Sequence, residues 1–389
     1  MKFAVVFDGL GTGGIERVGA DYIRILKKMG HDITIYNLQP EKNEMEKVYP
    51  ADCRIVRKCL PELILPDRYM LVVKRWRWGK YIYPFLYLGA SIGMYLYRLT
   101  MWKREKYDVS IAFSGHFRDL TFVSANYIRS EKKVCWLHGA LMEYMASSCT
   151  YGDLYRRIKN LCVLSEASQE SALQQNQYLN GLNIQHIYNP IDLDKNCVNQ
   201  MHVDELKQKY GGFILSVGRF EDDKDQDTIL KAMKILRDSH SITNRIVFVG
   251  AGSRLERCKG LAQELGLGEQ AVFVGSRNDV EDFYTAAKLF VHSSPAEGLP
   301  TVLLEAMKFG VPIVATRSMP GVEEILQGDK YGYQCQVGNP EDMAEKILEF
   351  LENPKKREQY IDAGMERVKF FSYEAATEKM KQILDGLIS

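Results

Sequence analysis

The sequence has no Cys-x-x-Cys pair and no cysteine beside a histidine at zinc-finger spacing. Its eight cysteines (Cys53, Cys59, Cys135, Cys149, Cys162, Cys197, Cys258 and Cys335) are scattered. That excludes a zinc ribbon and a disulfide scaffold, and reads as small buried hydrophobes in a reducing compartment. An excess of one charge is also missing: 51 bases stand against 50 acids, a net +1. A uniformly basic nucleic-acid binder and an acidic solvating chain are excluded, and no nucleic-acid partner is expected. There is no internal repeat and no low-complexity tract. The first apolar run, Phe3–Phe7, is too short for a signal peptide and has no small-residue cleavage site behind it, so a cytoplasmic protein is expected. No Asp-x-Asp pair stands at a predicted strand end to hold a metal. Asp192-Leu193-Asp194 has the pattern but falls in a polar stretch between domains.

What is present is a large hydrophobic fraction, 46% of 389 residues. At about 100–200 residues per domain, that supports two or three packed domains. Phe3–Phe7 is a short continuous apolar run closed by glycines, as in a strand buried on both faces of a parallel sheet. A helix over Ile15–Met29 follows, stopped by Gly30. Ile33–Tyr36, Val109–Phe113, Val134–Leu137, Leu161–Leu164 and Ile184–Tyr188 read as further strands. A break follows at Asn189-Pro190-Ile191-Asp192, and a polar linker is predicted over about 190–212. Strands resume at Phe213–Val217, Ile246–Val249, Val272–Val274, Leu289–Val291 and Ile313–Ala315. Helices over Pro340–Glu352, Lys355–Phe370 and Tyr373–Leu387 close the chain. This alternation predicts an α/β protein of two Rossmann-like domains facing across a cleft, with ligands at the carboxyl ends of the strands.

Three clusters carry the chemistry. Gly9-Leu10-Gly11-Thr12-Gly13-Gly14 lies between a strand and a helix, where free amides meet an anion or a sugar; a tight turn is the alternative. A dinucleotide is disfavoured, because the second strand ends in Tyr36-Asn37 and not in a ribose-holding acid. Gly218-Arg219, with Lys224 five residues on, offers two cations suited to a diphosphate, or else a surface salt bridge to Asp222, Asp223 or Asp225. In Glu297-Gly298-Leu299-Pro300-Thr301, a helix starts at the proline and presents its first amides. Glu305 follows on an apolar stretch, where hydroxyls of a ribose would satisfy it. The alternative is a capping Glu297 and a solvated Glu305.

The Glu297-x7-Glu305 spacing, with Glu-Gly-Leu-Pro at its start, resembles the signature of the family 4 retaining glycosyltransferases, which have the GT-B architecture. Gly13-Gly14-Ile15-Glu16-Arg17, Gly218-Arg219 with Lys224, Asn189-Pro190 and Gly310-Val311-Pro312 match further landmarks in the same order. The resemblance covers most of the chain. It is strongest over 213–335 and weak over about 40–105, and Glu-Gly-Leu-Pro stands where the family often has Glu-Gly-Phe-Gly. It implies an acceptor-binding domain over 1–190 and a nucleotide-sugar-binding domain over 191–372, with the last helix, 373–389, packing back on the first. It implies that Arg219 and Lys224 neutralise the donor diphosphate and that Glu297 faces the transferred sugar. Glu305 would hold the ribose. The amides of Gly298, Leu299, Pro300 and Thr301 would line the sugar and diphosphate, and Gly13 and Gly14 the diphosphate from the other domain. His138 matches the family's active-site histidine, and Arg277 and Asn278 lie where the nucleobase is usually placed. The implied donor is a nucleoside-diphosphate sugar used with retention; UDP is preferred over GDP as the nucleotide, and no metal or cofactor is expected because the cations take the metal's place.

One segment departs from the even charge. From Arg68 to Lys106 nine bases face one acid, Glu105, and three of the four tryptophans fall there. Bases among Trp and Tyr are what a membrane interface selects. Pro84, Gly89 and Gly93 argue against a clean span, so an amphipathic, monotopic contact, peripheral on the cytoplasmic side of an anionic membrane, is expected, serving a lipid-linked or oligosaccharide acceptor in bacterial surface polysaccharide synthesis. The alternative is a segment packed on its own sheet with a solvated basic rim. A nucleotide-sugar epimerase of the same fold and a non-catalytic sugar-binding protein are the competing functions.

Overall fold

The computed structural model describes the chain except residues 66–68, 70–71, 74–75, 101–104, 140, 142–143, 146–149, 176–178, 195–196 and 389. Of the basic aromatic segment, Arg68, Lys74, Arg75, Trp102, Lys103 and Arg104 thus lie outside the described residues. Two compact units form: Met1–Pro190 with Thr377–Ser389, and Ile191–Ala376.

The first unit holds a seven-stranded parallel sheet. Its strands are β1 (Lys2–Phe7), β2 (Asp32–Asn37), β3 (Arg54–Arg57), β4 (Lys106–Ala112), β5 (Arg129–Trp136), β6 (Asn160–Val163) and β7 (Asn183–His186). The order is β3-β2-β1-β4-β5-β6-β7. β1 is central, in register with β2 from Lys2↔Asp32 to Phe7↔Asn37, and Phe3–Phe7 are fully buried. Helices cover both faces, so after Lys2 at its start every side chain of this strand is apolar. The helix Gly14–Lys28 packs so closely on β1 that a Cβ at Gly19 would lie 2.5 Å from the Phe7 ring. Gly30, at φ +82°, turns the chain out of that helix.

The second unit holds a six-stranded parallel sheet. Its strands are β8 (Ile214–Val217), β9 (Ile246–Val249), β10 (Ala271–Phe273), β11 (Leu289–His292), β12 (Ile313–Thr316) and β13 (Tyr333–Cys335). The order is β10-β9-β8-β11-β12-β13. Two Rossmann-like halves are therefore the architecture, as the alternation predicts. The helix Pro340–Glu352 begins with Asn339 accepting the Asp342 amide at 3.0 Å, and it packs on the helix Gln226–His240.

Two edge strands escaped the sequence reading. β3 reads Arg-Ile-Val-Arg and is only half-buried, and β13 has three residues, so neither offers a continuous apolar run. The predicted linker over 190–212 is corrected. Residues Gln200–Tyr210 form a helix of the second unit, packed on the helix Val280–Ala286. Only Val203 and Leu206 are buried in it, and polar contacts do much of the anchoring: Asp282 accepts the Asn199 amide and pairs with His202 Nδ1, both at 2.8 Å. Hydrophobic periodicity cannot reveal such an anchor.

Candidate active site

In the second unit the sheet order reverses between β8 and β11, the topological switch point of an open α/β sheet, where ligands bind outside the carboxyl ends of the strands. The loops after these two strands deliver Arg219, Lys224 and Glu297. Lys224 Nζ lies 2.6 Å from Glu297 Oε1, and both side chains are largely buried. The sequence separates these residues by 73 positions; the switch point joins them.

Each loop is fixed by its own chemistry. After β8, Gln226 donates to the Arg219 carbonyl at 2.8 Å, and Ser293 donates to the Lys224 carbonyl at 2.8 Å. Gly250 passes so close that a Cβ there would meet the Gly218 carbonyl oxygen at 1.9 Å. After β11, Thr316 donates to the Ser294 carbonyl at 2.6 Å, as does Ser318. The Gly321 amide donates to the Glu297 carbonyl at 3.0 Å. The Glu297 backbone is thus pinned from β12 and the loop behind it.

The electrostatics converge on two acids. Burial alone would raise the Glu297 carboxyl, but His292 and Lys224 override it and hold it at about 2, a carboxylate at neutral pH. His292 Nε2 is 3.3 Å from the same Oε1 that Lys224 touches. Sequence reasoning missed His292; its signal was a histidine at a strand's carboxyl end, five residues before Glu297. Asp223 is the second acid. Its Oδ2 lies 3.5 Å from Arg219 Nη2 and 3.4 Å from Lys224 Nζ. The two cations therefore meet on one oxygen, the arrangement a phosphate oxygen would take.

The helix Thr301–Lys308 starts one residue later than expected, with extended Pro300 as its N-cap. Leu299 and Pro300 are buried, while Gly298 and Thr301 are partly open. Glu305 is half-buried between the buried Leu304 and Ala306. Arg277 and Asn278 follow β10, two strands from β8. Arg277 grips Asp279 with Nε at 2.8 Å and Nη2 at 2.5 Å and lies over the Phe283 ring. Asp279 is also 3.4 Å from His202, which pairs with Asp282. That group has the spacing of metal ligands, yet Arg277, the Asn199 amide and His202 already occupy its oxygens.

At the carboxyl edge of the first sheet, Gly13 is the extended N-cap of the first helix, and Gly14 has open space where a Cβ would stand. Glu16 folds back toward Gly13, its carboxyl raised by burial against the hydrogen bond of its own amide. Asn37 is buried and committed: its amide nitrogen donates to the Lys42 carbonyl at 2.9 Å, and its oxygen accepts the Gln39 amide at 3.0 Å. It builds a loop where a dinucleotide site would hold a ribose. His138 Nε2 is 2.8 Å from the Phe113 carbonyl. A carbonyl only accepts, so Nε2 carries the proton. Burial lowers this ring to about 3, which leaves it neutral with Nδ1 as an acceptor. Beside it lies a cluster the sequence reading did not single out. Asp8 is 3.4 Å from both His116 Nδ1 and Arg118 Nη1, and buried Asp119 accepts the amides of Gly115 and His116 at 2.8 Å.

With this geometry in place, the class follows from comparison. Residues 199–367 match the family of group 1 glycosyl transferases. That match covers less than half of the chain; together with relatives named as glycosyltransferases along its whole length it supports the glycosyltransferase class, and the solved neighbours share the fold. A glycosyltransferase of Haemophilus influenzae, itself uncharacterized, is 27% identical over 385 residues, covering 96% of each chain. The amylovoran biosynthesis glycosyltransferase AmsD of Erwinia amylovora is 21% identical over 388 residues, covering 99% of each. The crystal structure of Anabaena HepE in complex with UDP-glucose superposes with a TM-score of 0.75 at 20% identity, covering all of both chains.

Proposed function

We propose that the chain is a retaining, metal-independent transferase of the family 4 type. It moves a hexosyl or N-acetylhexosaminyl group from a UDP-sugar to a lipid-linked or oligosaccharide acceptor in bacterial surface polysaccharide synthesis. The observation that carries the reading is the convergence of Arg219 and Lys224 on one oxygen beside the buried Glu297 carboxylate. The relative named for amylovoran biosynthesis and the neighbour that holds UDP-glucose support the acceptor class and the donor.

In this reading the transition state is an oxocarbenium-like sugar parting from a diphosphate whose negative charge grows. Arg219 and Lys224 meet that charge, joined by the backbone N–H groups of Gly298, Leu299 and Thr301 around Pro300. Such preorganised charge is commonly the largest catalytic term, and losing one donor costs about 3–4 kcal/mol. These cations make a metal unnecessary. Glu297, ionised and pinned, faces the sugar and stabilises positive charge at the reacting carbon. Glu305 accepts from the ribose hydroxyls, and Arg277 with Asn278 lies against the base. Gly13 and Gly14 leave room for a sugar or an anion at the start of the first helix of the acceptor-binding unit. His138, protonated on Nε2, offers Nδ1 to a donor-sugar hydroxyl. The enzyme works peripherally on an anionic membrane through the segment 68–106.

The test is a panel of nucleotide sugars with detection of released nucleoside diphosphate and the anomer of the product. Turnover with retention, lost in Lys224→Ala and Glu297→Gln, is expected. An inverted product overturns the mechanism, and free epimerised nucleotide sugar makes the enzyme an epimerase.

A further inference from the structure

The helix Gly79–Leu99 leaves a large apolar face uncovered. Trp78, Tyr81, Phe85, Leu88, Ile92, Tyr95 and Leu99 recur at alternating steps of three and four residues along it. All seven are between 43% and 76% exposed. At about 100° per residue they fall within an arc of roughly 100° on one side of the helix. Scattered exposed hydrophobes need no explanation, but a stripe of this length does.

The opposite face is already committed. Ala90 is buried, and Met94 and Tyr97 pack against the core of the first unit. Tyr97 donates to the Cys59 carbonyl at 2.7 Å, and Tyr127 donates to the Met94 carbonyl at 3.0 Å. A Cβ at Gly93 would press on Ile64 at 3.1 Å. The helix is therefore docked along one side, and the stripe is what docking leaves outside. Charge is nearly absent from the helix: it carries only Lys80 and Arg98, and Arg98 reaches inward to the Ala125 carbonyl at 3.2 Å. The exposed bases Arg77 and Lys80 stand at one end, beside the exposed Trp76 and Trp78.

We propose that this helix is a monotopic insertion element. It lies in the plane of an anionic bilayer with the stripe in the acyl region and Arg77 and Lys80 at the headgroups. The proposal rests on the membrane reading above and adds the helix and the face of it that enter the bilayer, with apolar burial as the main driving force. No described helix is long and apolar enough to cross a membrane, and the packed inner face keeps this one from turning into a span. Charge complementarity selects lipid over a second copy of the chain. From Arg68 to Arg104 there is no acid, so two stripes face to face would bring bases against bases, whereas an anionic headgroup supplies the missing partner.

Vesicle flotation of the full chain tests this. It uses phosphatidylcholine alone or mixed with phosphatidylglycerol, at about 0.1 M and about 0.5 M salt. The wild type is expected to float with the mixed vesicles at both salt concentrations, and its tryptophan emission to be quenched by brominated acyl chains. Phe85→Glu with Ile92→Glu should weaken binding by at least about a hundredfold at unchanged thermal stability, since both sites are exposed. Arg77→Glu with Lys80→Glu should weaken it less, and more at low salt than at high. Flotation lost at high salt but untouched by the Phe85 and Ile92 changes would overturn insertion and leave the membrane reading standing. No flotation at all would end both. A dimer without lipid that the same two changes dissolve would show that a second copy covers the stripe, and would overturn the proposal.

Discussion

At the carboxyl edge of the seven-stranded sheet, Asp8, Glu16 and Asp119 gather round His116, with Arg118 on Asp8. At the same edge of the six-stranded sheet, Arg219 and Lys224 gather round Asp223 and Glu297. The strands and their parallel pairing are alike, and the chemistry is of opposite sign. One edge surrounds a cation with acids, the other surrounds acids with cations. A fold places loops at a sheet edge; the residues on those loops decide whether hydroxyls or an anion are met there. In the proposed reading the acidic edge suits a hydroxylated ligand and the cationic edge a diphosphate.

The largest effect expected comes from breaking the cationic edge. Lys224→Ala should lower kcat by roughly 10²–10³, measured as release of nucleoside diphosphate by a variant with wild-type thermal stability. A change at the acidic edge, Asp8→Asn, should leave binding of the nucleoside diphosphate to the second unit unaltered.

The second effect separates the edges by pH. Glu297 has its carboxyl lowered from 4.5 to about 2, so its contribution is present above the unfolded value and is lost as pH falls from about 4.5 toward 2. That contribution is at most about 3 kcal/mol. Asp119 behaves oppositely. Burial raises it from 3.8 to about 7, so its contribution is present at low pH and is lost as pH rises through about 7. Denaturant melts across pH 2–8 should flatten at the acid end in Glu297→Gln, and between about 4 and 7 in Asp119→Asn. Identical profiles in wild type and variants would remove the contrast.

Smaller effects sharpen the picture. His292→Phe removes one of the two nitrogens near Glu297 Oε1, and kcat should fall about tenfold with little change in KM. Asp223→Ala removes the acid that occupies the two cations, so the nucleoside diphosphate should bind about two- to fivefold tighter by calorimetry, as befits an exposed pair.

Much of this was legible in the chain because it is local. Gly218-Arg219 with Lys224, and Glu297 with the helix after it, are short segments whose residue types state their chemistry. The alternation of apolar runs and helices gave the architecture. What stayed hidden depends on long-range contact. The helix Gln200–Tyr210 is anchored partly by Asp282, 80 residues from His202, and leaves a weak apolar pattern. β3 and β13 are edge strands too short or too polar to stand out. His116 and Asp8 are 108 positions apart in number and meet only because β1 and β4 are neighbours. The stripe from Trp78 to Leu99 was visible as composition, but which side of the helix packs on the core is a tertiary fact. It decides that the exposed face is apolar rather than basic.

The most direct measurement is a crystal structure of the chain with a nucleoside-diphosphate sugar. The account predicts phosphate oxygens within hydrogen-bond distance of Lys224 Nζ and the Arg219 guanidinium, with the Asp223 carboxylate turned away. A diphosphate seated elsewhere, with Asp223 still between the two cations, would contradict it.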